Sequence, residues 1–316
     1  MNARATTALA LLVLTLESAH AQMTLGFSSV GLSYPFAAAV AKGFQDAAVR
    51  AGVHATVLDA QGRVQKQAND IDDLIGQKVA GIALMPLDSV IAQSWVDRAT
   101  AAGIAVVAVG SQVGDPRTRP LENVYPKLVA LVTQDEVAAG RAAGALAGRL
   151  LPRDRVANIA IIEGAPGFAE VLQRATGFRE GLAASRVSYR IVASQPGDWT
   201  AEKADITCQN ILAGHPEVDL FFNEADDMVI GCAHAARAVG SRARLIGVGG
   251  SKLAIVSIKA GRVDGTVCYK PEELGALAFS TLDDDVTGRK PVRAGFITYR
   301  TPGVTRADIG QCTGQW

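Results

Sequence analysis

Short apolar runs alternate with longer amphipathic ones along the chain from Gln22 onward. In the first half, apolar positions recur every three or four residues over 35–51, 64–77 and 89–102, which predicts helices. The aliphatic and β-branched runs between them predict strands at 24–28, 54–59, 81–85 and 105–109. This alternation is typical of βαβ units that build a parallel sheet.

The same pattern restarts after a loop rich in Pro, Gly and Arg at 112–127. Strands are predicted at 158–163, 189–194, 219–223 and 245–249. Helices are predicted at 135–150, 168–184, 201–213, 227–239 and 252–260. The expected fold is therefore α/β, with two doubly wound parallel-sheet lobes whose ligands bind beyond the carboxyl ends of the strands.

The beginning of the sequence predicts a secretory signal peptide over residues 1–21. Arg4 precedes an apolar run at 8–14, and Ala19, His20 and Ala21 form a small-x-small cleavage site. The run is shorter than the roughly 20 residues of a membrane span, although an uncleaved anchor is the alternative. Cleavage after Ala21 predicts a periplasmic protein of a length suited to two domains.

The charge balance and the cysteine spacing limit the kinds of ligand, metal and macromolecular partner to be expected. Lys plus Arg and Asp plus Glu both number 31, so no net field favours nucleic acid or an anionic membrane. The four cysteines lack C-x-x-C spacing, so a zinc site is a poor interpretation of them. One or two disulfides are a better interpretation, and the sequence leaves their connectivity open. The acidic run 283–285 is interpreted as a solvated face rather than a metal site. We expect a small-molecule ligand, no metal and no cofactor.

Aromatic residues follow the predicted strand ends. Ser29 ends the first strand, and Tyr34 and Phe36 flank a helix start, where they could stack on a sugar ring or act as a hydrophobic staple. Phe168 lies at the start of another predicted helix, where it either contacts the ligand or belongs to an ordinary loop between a strand and a helix. Trp199 lies in a polar loop, where its indole offers a flat platform and one donor; core packing is the alternative.

Polar candidates occupy similar positions. Glu163 ends one strand and Asn223 ends another, so both are expected to meet ligand hydroxyls. Either Asp226 or Asp227 is expected to be the N-cap of the following helix, which leaves the other for ligand. The sequence has no G-x-S-x-G elbow and no phosphate-loop spacing, so no catalytic residue is assigned and no enzymatic activity is expected.

The order of these motifs resembles the sugar-binding proteins of ABC importers, which are type I periplasmic binding proteins, and among them the ribose-binding group and its galactofuranose-binding branch. The resemblance rests on 26–31, 194–199 and 226–231. It implies three crossovers that join the lobes in a hinge, near 133–134, 268–270 and 295–298. The first lobe would then comprise 22–132 and 271–294, and the second lobe 134–268 and 296–316.

The chain departs from this family at charged positions that bind sugar. Gly110 and Ser111 replace an Asp-Arg pair, Leu172 replaces a pocket arginine, and Gly249 replaces an aspartate. Ser111 and Gly249 remain candidate ligand contacts, and Tyr269, within the second crossover, completes the list. Because a site's hydrogen-bonding groups select its ligand, we expect a sugar-like ligand that is less hydroxylated, larger or partly apolar.

The resemblance implies a monomeric solute receptor that delivers its ligand to an ABC importer permease. The alternative is a sensory module that presents its ligand to a chemoreceptor or a sensor kinase. A sugar-responsive repressor would need an N-terminal helix-turn-helix, and the predicted signal peptide stands there instead. A hydrolase or dehydrogenase on a similar fold is the remaining alternative.

Overall fold

The computed structural model describes residues 23–316, and the predicted signal peptide lies outside the described residues. In chain order, the strands are β1 (Thr24–Ser29), β2 (His54–Asp59), β3 (Gly81–Leu84), β4 (Ala105–Val109), β5 (Ala130–Thr133), β6 (Ala157–Glu163), β7 (Tyr189–Pro196), β8 (Leu220–Asn223), β9 (Arg244–Gly249), β10 (Gly265–Cys268), β11 (Gly295–Thr298) and β12 (Gly303–Thr305). The α-helices are α1 (Pro35–Ala51), α2 (Val64–Gly76), α3 (Ala92–Ala101), α4 (Glu136–Leu150), α5 (Ala169–Ala184), α6 (Ala201–Gly214), α7 (Asp226–Ala238), α8 (Lys252–Lys259) and α9 (Pro271–Val286).

The first lobe is built on a parallel sheet with the strand order β11-β5-β4-β3-β1-β2. Its strands are apolar because both faces are covered by helices. On one face, α1 and α9 enclose a core around Phe27, Phe44 and Leu282. On the other face, α2 and α3 enclose a core that includes Ile82 and Trp95.

The second lobe repeats this plan with the order β12-β10-β9-β8-β6-β7, in which only β12 runs antiparallel to its neighbour. Helices α4 and α5 cover one face around Phe178 and Phe222, and α6 and α7 cover the other around Phe221. The α4–α5 contact is close because a Cβ built on Gly177 would lie 2.0 Å from the carbonyl oxygen of Val137. The predicted α/β class with two wound lobes is thereby confirmed.

The chain passes between the sheets three times, after β5, after β10 and after β11. The first two passages lie where the resemblance implied them. The third differs, because Gly295–Thr298 forms β11 and pairs with β5 in the first sheet. The first sheet therefore extends to Thr298, and the chain enters the second lobe between Thr298 and Gly303.

The predicted elements match the observed ones within a few residues, but the sequence pattern did not predict β5, β10, β11, β12 or α9. Among the elements that were predicted, the clearest difference is at α3. The pattern predicts this helix from residue 89, but residues 89–91 form a turn and the helix begins at Ala92. The Asp88 carboxylate accepts the backbone N–H groups of Val90 and Ile91, both at 2.9 Å, and so supports this turn. The turn matters because Ser89 contacts the second lobe.

Both disulfides lie in the second lobe, Cys208–Cys232 and Cys268–Cys312, which resolves the connectivity that the sequence left open. Within residues 23–316, no helix is both long enough and apolar enough to cross a membrane. Over the same residues, no cluster of His, Cys, Asp or Glu is arranged to hold a metal ion.

Candidate ligand-binding cleft

A cavity of about 90 Å³ lies between the lobes, where the carboxyl ends of the two sheets face each other. This is smaller than the roughly 300 Å³ at the lower end of pockets for drug-sized ligands, so the cavity suits a small solute. Six aromatic side chains supply much of its wall: Tyr34, Phe36, Phe168, Trp199, Tyr269 and Trp316.

The aromatic wall joins both lobes through edge-to-face contacts. Phe36, on the first lobe, lies 5.5 Å from the ring of Trp316 and 6.0 Å from that of Tyr269, measured between centroids. Within the second lobe, Phe168 and Trp199 are 5.6 Å apart with their rings at 80°. Edge-to-face pairs are a preferred aromatic arrangement, and they hold these rings in fixed orientations around the cavity.

Local backbone features determine where Phe36 and Trp199 lie. Phe36 is in the first turn of α1, whose first residue is Pro35, and proline at that position has a dihedral angle already suited to a helix. Trp199 follows β7 with a left-handed φ of 63°. A Cβ built on Gly164 would lie 1.9 Å from the Trp199 ring, so only glycine leaves space for the indole there.

Arg174 and Glu136 form a buried ion pair beside the cavity. The Arg174 Nε and Nη2 atoms donate to the two Glu136 carboxylate oxygens at 2.6 and 2.9 Å. Glu136 also accepts from the Tyr269 hydroxyl and the Gln134 amide, each at 2.6 Å. Burial alone would lower the pKa of Arg174, but the Glu136 carboxylate raises it overall, so the guanidinium stays charged.

The guanidinium also lies 5.4 Å from the ring centroid of Trp199 and 5.4 Å from that of Tyr269. Cation–π contacts of this kind are attractive when the rings are desolvated. Arg174 therefore orients two of the aromatic side chains, while its charge is balanced by Glu136.

Hydrogen bonds cross from one lobe to the other around the cavity. The Ser111 hydroxyl donates to Glu170 Oε2 at 2.7 Å, and the Gln173 amide donates to Gln112 Oε1 at 2.5 Å. The backbone N–H of Ser89 donates to the Gly167 carbonyl at 3.2 Å. These bonds need the lobes in contact, so the structure represents the closed arrangement.

Glu170 is the acidic group most directly involved in this contact. Burial raises its pKa to about 7, the nearby Glu136 carboxylate adds to the effect, and Arg174 opposes it. The protonated and the ionised carboxyl are therefore both populated in the closed cleft near neutral pH.

Three polar atoms of cavity-lining residues are buried without a hydrogen-bond partner: the indole Nε1 atoms of Trp199 and Trp316, and Oε1 of Gln134. Buried polar groups in proteins are normally paired, and an unpaired one costs free energy. Two donors and one acceptor in the residues that line the cavity are therefore left without a protein partner.

Seven of the candidates chosen from sequence line this cavity, namely Tyr34, Phe36, Phe168, Trp199, Asp226, Gly249 and Tyr269. Four others do not line it. Ser29 accepts from the backbone of Gly31, Ser111 donates to Glu170, Glu163 accepts from Ser194, and Asn223 donates to the Ile246 carbonyl. The structure therefore gives these four side chains protein partners in the closed state.

The expected N-cap of α7 is wrong. Its N-cap residue is Ala225, and no side chain caps the helix. Asp226 is already helical, and its carboxylate accepts from the Ser251 backbone and the Thr266 hydroxyl, both at 2.7 Å. Burial raises the pKa of Asp226 to about 6. Its bonds hold the ends of β8, β9 and β10 together, while Asp227 lines the cavity beside it.

Sequence reasoning missed Gln134, Glu170, Arg174 and Trp316. Leu172, the position compared with a family arginine, has 42% of its side chain exposed, and Arg174 lines the cavity instead. The cleft thus keeps one arginine that the comparison of motifs did not foresee. Glu170 and Arg174 are four residues apart in a predicted helix, so they share a face, and this spacing could have identified them.

Two wound α/β lobes that close on a small, largely aromatic cavity define a bilobal solute-binding protein. A family model described as a periplasmic binding protein domain matches residues 25–290. The chain belongs to this family.

Curated and solved relatives agree with this assignment. The ribose import binding protein of Bacillus subtilis strain 168 is 31% identical over 269 residues, covering 85% of this chain and 83% of that protein. A crystal structure from Mycobacterium smegmatis in complex with β-D-fucofuranose is 25% identical with a TM-score of 0.82, covering 92% of this chain and 93% of that one. The Caulobacter myo-inositol binding protein bound to myo-inositol is 26% identical with a TM-score of 0.82, covering 92% and 96%.

Proposed function

We propose that this protein is the periplasmic solute-binding component of an ABC importer and that its ligand is a small ring-shaped sugar or polyol. The observation that carries the proposal is the interlobe cavity, which combines aromatic walls with buried, unpaired hydrogen-bonding atoms. The named ligands of the relatives, ribose, fucofuranose and myo-inositol, are all compact polyhydroxylated compounds.

The polar atoms of the cavity favour a ligand with fewer hydroxyls than a common hexose. Two indole N–H groups can donate to ligand oxygens, and the Gln134 carbonyl can accept from one ligand hydroxyl. Gly110, Val248 and Gly249 offer no polar side chain. A ring with an apolar face and two or three well-placed oxygens would satisfy these groups and cover the aromatic surface.

Closure supplies the proposed mechanism of capture. A ligand that touches Phe36 on one lobe and Trp199 on the other has its full set of contacts only when the lobes are closed. It therefore binds the closed state more tightly and shifts the population towards it. A permease that recognises the closed state would then receive loaded protein in preference to empty protein.

The test begins with mass spectrometry of compounds released from freshly purified, denatured protein. Refolded, ligand-free protein is then screened by thermal shift against sugars, polyols and small aromatic or terpenoid compounds. A ligand at 100 times its dissociation constant adds about 2.7 kcal/mol, which raises the melting temperature by roughly 4 °C. The same ligand should stabilise a Trp199→Ala variant much less. If no compound is recovered and none stabilises the wild type, the proposal fails.

Delivery to an importer has its own test. Permease and ATPase genes beside this gene would be expected, and the ligand-loaded protein should stimulate the ATPase of that importer in membrane vesicles. Equal stimulation by loaded and ligand-free protein would contradict delivery by recognition of the closed state.

A further inference from the structure

The segment Cys312–Trp316 ends at the cavity, which Trp316 lines. Its first residue is fixed to β10 by the Cys268–Cys312 disulfide. Its last residue is fixed to α8, because the Lys252 backbone N–H donates to the Trp316 carbonyl at 2.8 Å. A Cβ on Gly314 would lie 2.8 Å from the Lys252 backbone nitrogen, so the segment packs closely against the start of α8.

The same segment also contacts the first lobe. Gln315 Oε1 accepts the backbone N–H of Glu272 at 2.8 Å, in the first turn of α9. The first N–H groups of a helix have no partner within the helix, and no side chain supplies the usual N-cap bond at α9. Gln315 therefore satisfies a helix end of the first lobe, close to the crossover that precedes α9.

These contacts place Trp316 against the interlobe cavity. Its ring stands edge-to-face with Phe36 of the first lobe at 82°. A Cβ built on Gly249 would lie 3.0 Å from Trp316 Cζ2, so the absence of a side chain at residue 249 makes room for the indole. The indole that fills this space comes from a distant part of the chain.

The indole N–H of Trp316 is buried and has no hydrogen-bond partner. An indole nitrogen is a donor only, so just an acceptor atom can satisfy it. A ring platform with an unsatisfied donor at the edge of a cavity is suited to an oxygen substituent on a ring.

We propose that Trp316 is a ligand-contacting, specificity-determining residue, and that it donates its indole N–H to a hydroxyl, ether or carbonyl oxygen of the bound ring. The Cys268–Cys312 disulfide holds it in this position. The proposal rests on the proposed function and deepens it, because it identifies an aromatic subsite of the proposed ligand cavity.

The first test compares two substitutions that separate the donor from the ring. Trp316→Phe keeps a ring without the N–H and should weaken binding about fivefold, as expected for one neutral hydrogen bond. Trp316→Ala removes both and should weaken binding about 50-fold. The probes are D-ribose, D-fucose, myo-inositol and any compound recovered from the purified protein, measured by calorimetry. Ile206→Ala, an exposed apolar residue on α6, is the matched control and should leave affinity unchanged.

Tryptophan emission provides a second readout. Trp95 is buried in the first-lobe core, whereas Trp199 and Trp316 line the cavity. Part of the ligand-induced emission change should therefore disappear in Trp316→Phe while circular dichroism shows the fold retained. An unaltered emission change would overturn the proposal.

The second test uses the two disulfides as a matched pair. The Cys268→Ser/Cys312→Ser variant releases the segment and should weaken binding at least tenfold, in the direction of Trp316→Ala. The Cys208→Ser/Cys232→Ser variant releases no cavity residue, so it should lower the melting temperature without changing affinity. If the first pair and Trp316→Ala both bind as the wild type does, this inference fails and the proposed function stands. If the wild type binds no compound, both fail.

Discussion

Replacing Glu170 by glutamine should remove a pH dependence of ligand binding that the closed cleft creates. In the closed state the Glu170 carboxyl is buried, accepts from Ser111 of the opposite lobe, and lies near Glu136 and Arg174. Burial raises its pKa from the ordinary value of 4.5 to about 7. In an open cleft the carboxyl would be solvated and would ionise closer to its ordinary value, although Glu136 and Arg174 stay beside it in the same lobe.

The magnitude follows from linkage. Each unit of difference between the pKa values of Glu170 in the closed and open states changes the free energy of closure by about 1.4 kcal/mol. The closed state binds a proton that the open state releases, so closure becomes less favourable as pH rises from 4.5 to 7 and changes little above that. The full effect is on the order of 3 kcal/mol, and between pH 5.5 and 7.5 it should weaken binding at least about tenfold.

Asp226 also has a raised pKa, of about 6, but its partners Ser251 and Thr266 belong to the same lobe. Its protonation should therefore affect the stability of the second lobe more than closure. Glu170→Gln mimics the neutral carboxyl and can still bond Ser111, so its affinity should be nearly independent of pH and should exceed that of the wild type at pH 8.

The assay is calorimetric titration of the ligand at pH 5.5, 6.5, 7.5 and 8, with wild type and variant in matched buffers. Equal wild-type affinity at all four values would refute this reasoning. If the affinity of Glu170→Gln varied with pH as much as that of the wild type, the pH dependence would belong to another group, and the reasoning would be refuted as well.

Two further substitutions test the geometry beside the cavity. Arg174→Met leaves the Glu136 carboxylate buried without its cation and should lower the free energy of unfolding in urea by about 3–5 kcal/mol; an unchanged midpoint would contradict a tight ion pair. Gly164→Ala places a methyl group 1.9 Å from the Trp199 ring and so must displace the indole. It should weaken ligand binding at least about tenfold, whereas Gly214→Ala, with no atom within 4 Å, should bind normally.

The alternation of apolar runs was sufficient to predict the architecture, because parallel strands covered on both faces leave a continuous apolar signature. The short strands near the hinge were harder to predict. β10 and β11 have four residues each, and β11 pairs with β5, from which it is separated in the chain by most of the second lobe. Local pattern carries little information about such a pairing, so β11 was not predicted, and the position of the third crossover was taken from the resemblance alone.

We looked for ligand contacts directly after each predicted strand, and this rule identified the aromatic wall of the cavity. It succeeded because the carboxyl ends of parallel strands converge on one edge of the sheet. It could not find residues inside helices, and Glu170 and Arg174 reach the cavity from the first two turns of α5. It could not find Trp316 either, because that residue follows no strand and reaches the cleft through a disulfide and two backbone contacts. The bonds that remove Ser29 and Glu163 from the cavity depend on side-chain direction, which periodicity alone does not specify.

The central claim is that the two lobes close on a solute, and small-angle X-ray scattering of refolded, ligand-free protein with and without its ligand tests it most directly. The account predicts a smaller radius of gyration on saturation, with the loaded profile matching the closed structure. Identical profiles at saturating ligand, with binding confirmed by calorimetry in the same samples, would contradict it.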